Sequence, residues 1–279
     1  MPPIKHIFYD KEWLLNEASF KTTSAILSEV PYEPKILILG TFNPEQPGNN
    51  PEFFYGRNFL WPLLFNLLKY KSIHYKKKNN SKDNTGPTLV EILELCQKKH
   101  LVFGDLIAQV LHVGNPEYRW EKRIGKGPQT YNLIYQGKKF NLIQDNNKSV
   151  DGITTYGLNE LEKEKQIDWN TSNIKQLITD NKLIETVYLT CNPVGEFKTK
   201  WKEISNCNYG RSVKFRRLFT PSAQGTPKNF DKMKYVLQHW LHKFEFNENY
   251  EGIDLDWLGN YLKIDEIEEL KRLDCRINK

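Results

Sequence analysis

The chain has 279 residues, 39% of them hydrophobic, which is enough to bury a sizeable core and excludes a wholly disordered protein. A formal charge of +6 favours an anionic partner without identifying it. Four cysteines, Cys96, Cys191, Cys207 and Cys275, stand far apart with no C-x-x-C pair. That excludes a zinc ribbon or an iron–sulfur cluster and fits reduced thiols in the cytoplasm.

In chain order, the start MPPIKHIFYDKEWLL has no apolar run of signal-peptide length, and no later window approaches the ~18 apolar residues of a membrane span. A soluble protein without membrane contact is expected. Residues 1–34 are assigned to an N-terminal helical segment. Residues 35–40 (KILILG) form an apolar run between Pro34 and a terminal Gly, the pattern of a strand buried on both faces. Residues 101–106 (LVFGDL), 186–191 (TVYLTC) and 213–219 (VKFRRLF) repeat it.

Helical patterns fall between and after these strands. Residues 58–69 put Phe59, Leu63 and Leu67 on one stripe, and residues 88–100 open with the capping-box spacing of Thr88 and Glu91. Residues 172–182 and 228–244 are further helices. Alternation of strands and helices argues for a parallel sheet covered on both sides. Residues 71–87, with adjacent Lys76, Lys77 and Lys78, read as a basic loop, solvated or touching phosphate. An insertion at about 115–170 contains a hairpin around Gly137 and the charged segment LNELEKEK. The expected domains are therefore 35–244, carrying that insertion, and a C-terminal helical extension over 245–279.

Ligands of an open parallel sheet bind outside the carboxyl ends of its strands. The four exits read Gly40-Thr41-Phe42-Asn43-Pro44, Gly104-Asp105, Cys191-Asn192-Pro193 and Thr220-Pro221-Ser222-Ala223-Gln224-Gly225. Turn chemistry alone accounts for any one of them. Together, amides and hydroxyls with few charges suit a neutral, planar, hydrogen-bonding ligand such as a nucleobase, with Phe53, Phe54 and Tyr55 supplying flat surfaces.

These residues resemble a known family. An apolar strand, the G-T-F-N-P loop, aromatics and then R-N-F-L-W opening a helix look like the first motif of the uracil-DNA glycosylase superfamily, closest to its mismatch-specific and hypoxanthine-acting branches. The T-P-S-A-Q-G loop looks like its second motif, a Pro-Ser loop that presses on the DNA strand, and the order and separation agree. The resemblance implies a three-layer α/β/α sandwich around a central four-stranded parallel sheet. It also implies a monofunctional DNA glycosylase of base-excision repair, a monomer without metal or cofactor, acting on duplex or single-stranded DNA with an altered base.

The resemblance also assigns roles. Asn43 resembles the residue that positions or activates the attacking water, and Asn58 the helix-start Asn that is catalytic or adjacent to the base. Asp105 resembles an Asp that follows the second strand. Phe42, Tyr55 or Phe54, and Asn192 would face the flipped base. Thr220, Pro221, Ser222 and Gln224, with Arg57 and Lys228, would hold the DNA; of the adjacent Arg216 and Arg217, one at most serves the site, because neighbours on a strand face opposite ways. The chain departs from the most active uracil-removing enzymes, which carry an Asp in the first motif and a His opening the second, where Asn43 and Thr220 stand here. An intercalating Leu is replaced by Ala223 and Gln224. Slow turnover is the expectation.

Other patterns carry less. His239 and His242 share a helix face but have no third ligand beside them, and neither a P-loop nor a G-x-S-x-G elbow occurs. Two alternatives to an enzyme stay open: a non-catalytic DNA or altered-base binding protein, and a nucleotide-binding α/β protein using the same strand exits.

Overall fold

A computed structural model of the chain describes residues 1–55, 61, 87–123, 131–191 and 193–217. The expected helices over 58–69 (Trp61 apart) and 228–244, nearly all of the basic 71–87 loop, and the extension over 245–279 lie outside them. The chain divides into two compact units, Met1–Pro51 with His100–Phe215, and Glu52–Lys99 with Arg216–Lys279.

The described strands are β1 (Ile4–Lys5), β2 (Glu12–Leu15), β3 (Ala18–Thr23), β4 (Ile26–Glu29), β5 (Ile36–Gly40), β6 (Leu101–Asp105), β7 (Ile107–Val110), β8 (Tyr118–Lys122), β9 (Tyr131–Tyr135), β10 (Lys138–Phe140), β11 (Lys148–Val150), β12 (Ile153–Thr155), β13 (Ile167–Trp169), β14 (Thr186–Leu189) and β15 (Lys214–Arg217). The described helices are α1 (Leu89–Lys99), α2 (Leu158–Lys163), α3 (Thr171–Asp180) and α4 (Glu196–Ser205).

The principal sheet has seven strands in the order β15-β14-β5-β6-β4-β3-β2. β14, β5 and β6 pair in parallel, whereas β4 joins β6 antiparallel and β3 and β2 continue antiparallel outward. This overturns the expected α/β/α sandwich around a four-stranded parallel sheet: the described chain is rich in strand and its sheet is mixed. The first 34 residues, expected to be helical, form four strands instead.

The cause lies in two turns. Asn16 and Glu17, then Ser24 and Ala25, all adopt positive φ between 48° and 67°, the backbone of two-residue hairpin turns. Along β2 the burial then alternates, with Trp13 and Leu15 inside and Glu12 and Leu14 outside. β4 reaches the core sheet at Ile26, opposite Gly104. A Cβ at Gly104 would lie 2.7 Å from Ile26 Cδ1, so the absent side chain makes room for the antiparallel strand.

Two smaller sheets, β1-β7-β13 and β10-β9-β8, and the β11-β12 hairpin belong to the same unit. The expected hairpin around Gly137 forms, with Gln136 and Gly137 at positive φ between β9 and β10. Leu133, Tyr135, Phe140 and Leu142 from this insertion share one core with Leu37, Leu39, Val102 and Val187 of the main sheet. α3 buries Ile174, Leu177 and Ile178, and Arg211 Nη2 donates to the carbonyls of Ile178, Asn181 and Ile184 at its C-terminal end.

In the second unit, α1 starts as its sequence predicts. The Thr88 amide donates to Glu91 Oε2 at 2.9 Å and the Glu91 amide to Thr88 Oγ1 at 3.3 Å. Ile92, Leu93 and Cys96 form its buried stripe. Phe53 packs edge-on to Phe54, with ring centroids 5.4 Å apart, and lies 6.0 Å from Trp61.

Candidate functional site

β5 and β6 end side by side, with Gly40 opposite Asp105. The chains stay together past that point, since the Leu106 amide donates to the Gly40 carbonyl and the Ile107 amide to that of Thr41. Beyond Thr41 the loop runs along the N-terminal strand: the Ile7 amide donates to the Asn43 carbonyl at 2.8 Å, and the Glu45 amide to the Lys5 carbonyl at 2.8 Å. His6 and Pro44 form a bridge between them. Three segments distant in sequence thus converge: residues 4–8, the 41–49 loop and the end of β6.

At their junction His6 is fully buried. Its Nδ1 accepts the Phe8 amide at 3.0 Å, so the ring proton resides on Nε2, which donates to Asp105 Oδ2 at 2.6 Å. The ring is flanked by Phe8 and Phe42, with centroids 5.6 and 6.0 Å away. The Asp105 side chain retains 9% exposure. Its main chain is fixed as well: Asn170, itself completely buried, donates its side-chain amide to the carbonyls of Asp105 and Ser24. This carboxylate is therefore aimed from two directions and its rotamer is set by the fold.

The 41–49 loop is equally constrained. Pro47 and Gly48 (φ 76°) occupy the corner of a turn closed by the Asn49 amide on the Gln46 carbonyl at 3.0 Å. That turn brings Asn49 back beneath Asn43, where its Nδ2 donates to Asn43 Oδ1 at 3.2 Å and to the Pro44 carbonyl. Both partners are acceptors, which fixes the orientation of the Asn49 amide. Its Oδ1 lies buried without a hydrogen-bond partner among the described residues. A half-exposed carboxamide and an oriented carboxylate at adjacent strand exits can hold a water molecule and accept its proton.

Of the residues singled out in the sequence, Asn43 and Asp105 are brought to this one region. Phe42 is 6% exposed and belongs to the core behind His6, where it presents no face to a ligand. In the second unit Phe54 is buried, its carbonyl accepting the Trp61 indole N–H. Tyr55 is half-buried at φ 57°, a left-handed conformation that is uncommon for a bulky side chain. Arg57, Asn58, Asn192, Thr220, Pro221, Ser222, Gln224 and Lys228 lie outside the described residues, as do His239 and His242.

His6 and Asn170 were missed by sequence reading. Nothing in the local sequence singles either out, and only its contact with Asp105, 99 residues away for His6, gives it a role. Among the described residues no three His, Cys, Asp or Glu side chains gather as a metal site, and no helix is long and apolar enough to cross a membrane. Burial pushes the Cys96 thiol up, which disfavours its thiolate. No family model, curated protein or solved structure matches the chain.

Proposed function

We propose that this protein is a monofunctional DNA glycosylase whose strand-exit motifs resemble those of the uracil-DNA glycosylases, hydrolysing the N-glycosidic bond of a deaminated or mismatched base of the uracil or hypoxanthine type. The observation that carries the reading is the buried His6–Asp105 pair, which aims a carboxylate beside the Asn43 loop at the exits of two parallel strands. The reading rests on the two sequence motifs and on this site, and not on the fold, because one fold serves many activities.

Loss of a base leaves positive charge on the deoxyribose, and water must attack that centre from a fixed position. Asp105 is the group to orient the water, take its proton and stabilise the sugar cation, with Asn43 holding the water from the adjacent loop. His6 acts through Asp105 and does not touch the substrate: its Nδ1 is committed to the Phe8 amide and its proton to the carboxylate. A base flipped out of the helix costs a few kcal/mol, least at a mismatch or lesion, which favours damaged sites. With Asn43 in place of a first-motif carboxylate, turnover is slow.

The Asn43 amide, standing where the most active relatives of the motif carry a carboxylate, favours a second reading, a DNA-binding protein that recognises an altered base without excising it. Product analysis separates the two. Oligonucleotides carrying uracil, hypoxanthine, xanthine or a mismatched thymine are incubated with the protein and the supernatant is assayed for free base by mass spectrometry. A free base, with strand cleavage appearing only after heat and alkali, is the expected result. Salt-sensitive binding with no free base from any substrate supports the binding protein instead.

A further inference from the structure

The insertion at 115–170 contributes more than core residues. Its first strand, β8, reads Tyr118-Arg119-Trp120-Glu121-Lys122 and is followed by Arg123. Tyr118 and Trp120 are half-buried against the core and anchor the strand. Arg119, Lys122 and Arg123 are exposed, and none has an ion-pair partner among the described residues. Glu121, the one acid within the strand, is engaged by Lys139. β8 pairs with β9 on one side and, among the described residues, with no strand on the other. The cations therefore border an open edge.

This strand begins at the candidate site. Tyr118 Oη donates to the Pro2 carbonyl at 3.1 Å, and three residues further on the Lys5 carbonyl accepts the amide of Glu45, in the Asn43 loop. Burial and the Glu45 carboxylate both raise the Tyr118 hydroxyl above its usual range, in keeping with that proximity. Arg119 and Lys122 lie on opposite faces of β8 and Arg123 just past its end, so a phosphate backbone laid along the open edge meets cations from both faces; Arg119 to Arg123 spans about 13 Å, roughly two phosphate steps along one DNA strand.

We propose that β8 is a phosphate-gripping strand, on which Arg119, Lys122 and Arg123 neutralise the backbone of the DNA that presents its altered base to Asp105. The identity of the polyanion rests on the glycosylase reading; the grip itself is tested separately. Cations at an open edge without an ion-pair partner among the described residues bind a continuous polyanion by counterion release, which is read as salt dependence.

The experiment measures anisotropy of a fluorescein-labelled duplex without an altered base, titrated with the full-length protein between about 50 and 200 mM salt. The variant Arg119→Ser/Lys122→Ser/Arg123→Ser is compared with Lys182→Ser/Lys198→Ser/Lys202→Ser, which removes the same charge from exposed positions elsewhere. The β8 variant is expected to lower the slope of log K against log salt by about 2–3 and to bind at least about tenfold more weakly, while the control stays within about one of wild type. Arg119→Ser alone, expected to lower the slope by about 0.9, guards against a misfolded triple variant. An unchanged slope in the β8 variants, an equal fall in the control, or no salt-dependent binding by wild type overturns the proposal. Base release is assayed apart from binding: a normal β8 effect without release removes the glycosylase reading alone, and release with an unchanged slope removes the β8 grip alone.

Discussion

Replacing His6 by Ala strips a mostly buried carboxylate of the Nε2–H donor and empties the space between Phe8 and Phe42. A hydrogen bond to a charged group contributes ~1.5–3 kcal/mol, and an uncompensated buried partner raises the loss to about 3–5 kcal/mol. Asp105→Ala leaves the opposite orphan, the Nε2–H of a fully buried ring, at a cost of ~1–3 kcal/mol. The double variant loses both groups but strands neither. Urea unfolding of the four proteins, at constant m-value, is expected to give a coupling energy of about 1.5–3 kcal/mol. Additivity within about 0.5 kcal/mol would refute the claim that the imidazole holds the carboxylate.

Burial alone raises the Asp145 carboxyl from 3.8 in the unfolded reference to about 6. The native state then keeps a proton that the unfolded chain has released, so the contribution of this group is complete below about pH 4 and is lost as pH rises through 6. Asp145→Asn should therefore match wild type near pH 4 and exceed it by about 2–3 kcal/mol at pH 7, read as the difference between two Tm-against-pH curves; parallel curves would contradict this. Gly157→Ala places a Cβ 2.5 Å from the Gln144 carbonyl oxygen and 2.6 Å from the Asp145 backbone, so the urea midpoint should fall by the equivalent of ~1–3 kcal/mol. Arg211→Ala removes the Nη2 hydrogen bonds to the carbonyls of Ile178, Asn181 and Ile184 and should cost about 2–4 kcal/mol, whereas Arg211→Lys, whose single ammonium can donate to the same carbonyls, should recover much of the loss in the same assay.

What the sequence made legible was local. The apolar runs at 35–40, 101–106 and 186–191 became β5, β6 and β14, because continuous Ile, Leu and Val bounded by turn residues have few other uses. The Thr88–Glu91 spacing and Gly137 marked a cap and a turn through chemistry contained within a few residues. The mixed sheet was not legible. Its outer turns at Asn16-Glu17 and Ser24-Ala25 contain no Gly, and the joining of β4 to β6 depends on Ile26 meeting Gly104 across the fold. The site divided in the same way: Asn43 and Asp105 could be named from strand exits, whereas His6, Asn49 and Asn170 acquire their roles from contacts that no spacing announces. Phe53 and Phe54 look like flat surfaces for a base because an aromatic in a loop looks exposed until its packing partners are known.

The central claim is that Asp105, aimed by His6, drives base hydrolysis. Single-turnover base release from uracil- and hypoxanthine-containing oligonucleotides by wild type, Asp105→Asn and Asn43→Ala tests it most directly. The account predicts release by wild type from at least one of them, slowed about 100-fold or more by Asp105→Asn and also slowed by Asn43→Ala. Release that is indifferent to Asp105→Asn, or no release by wild type from either substrate, would contradict it.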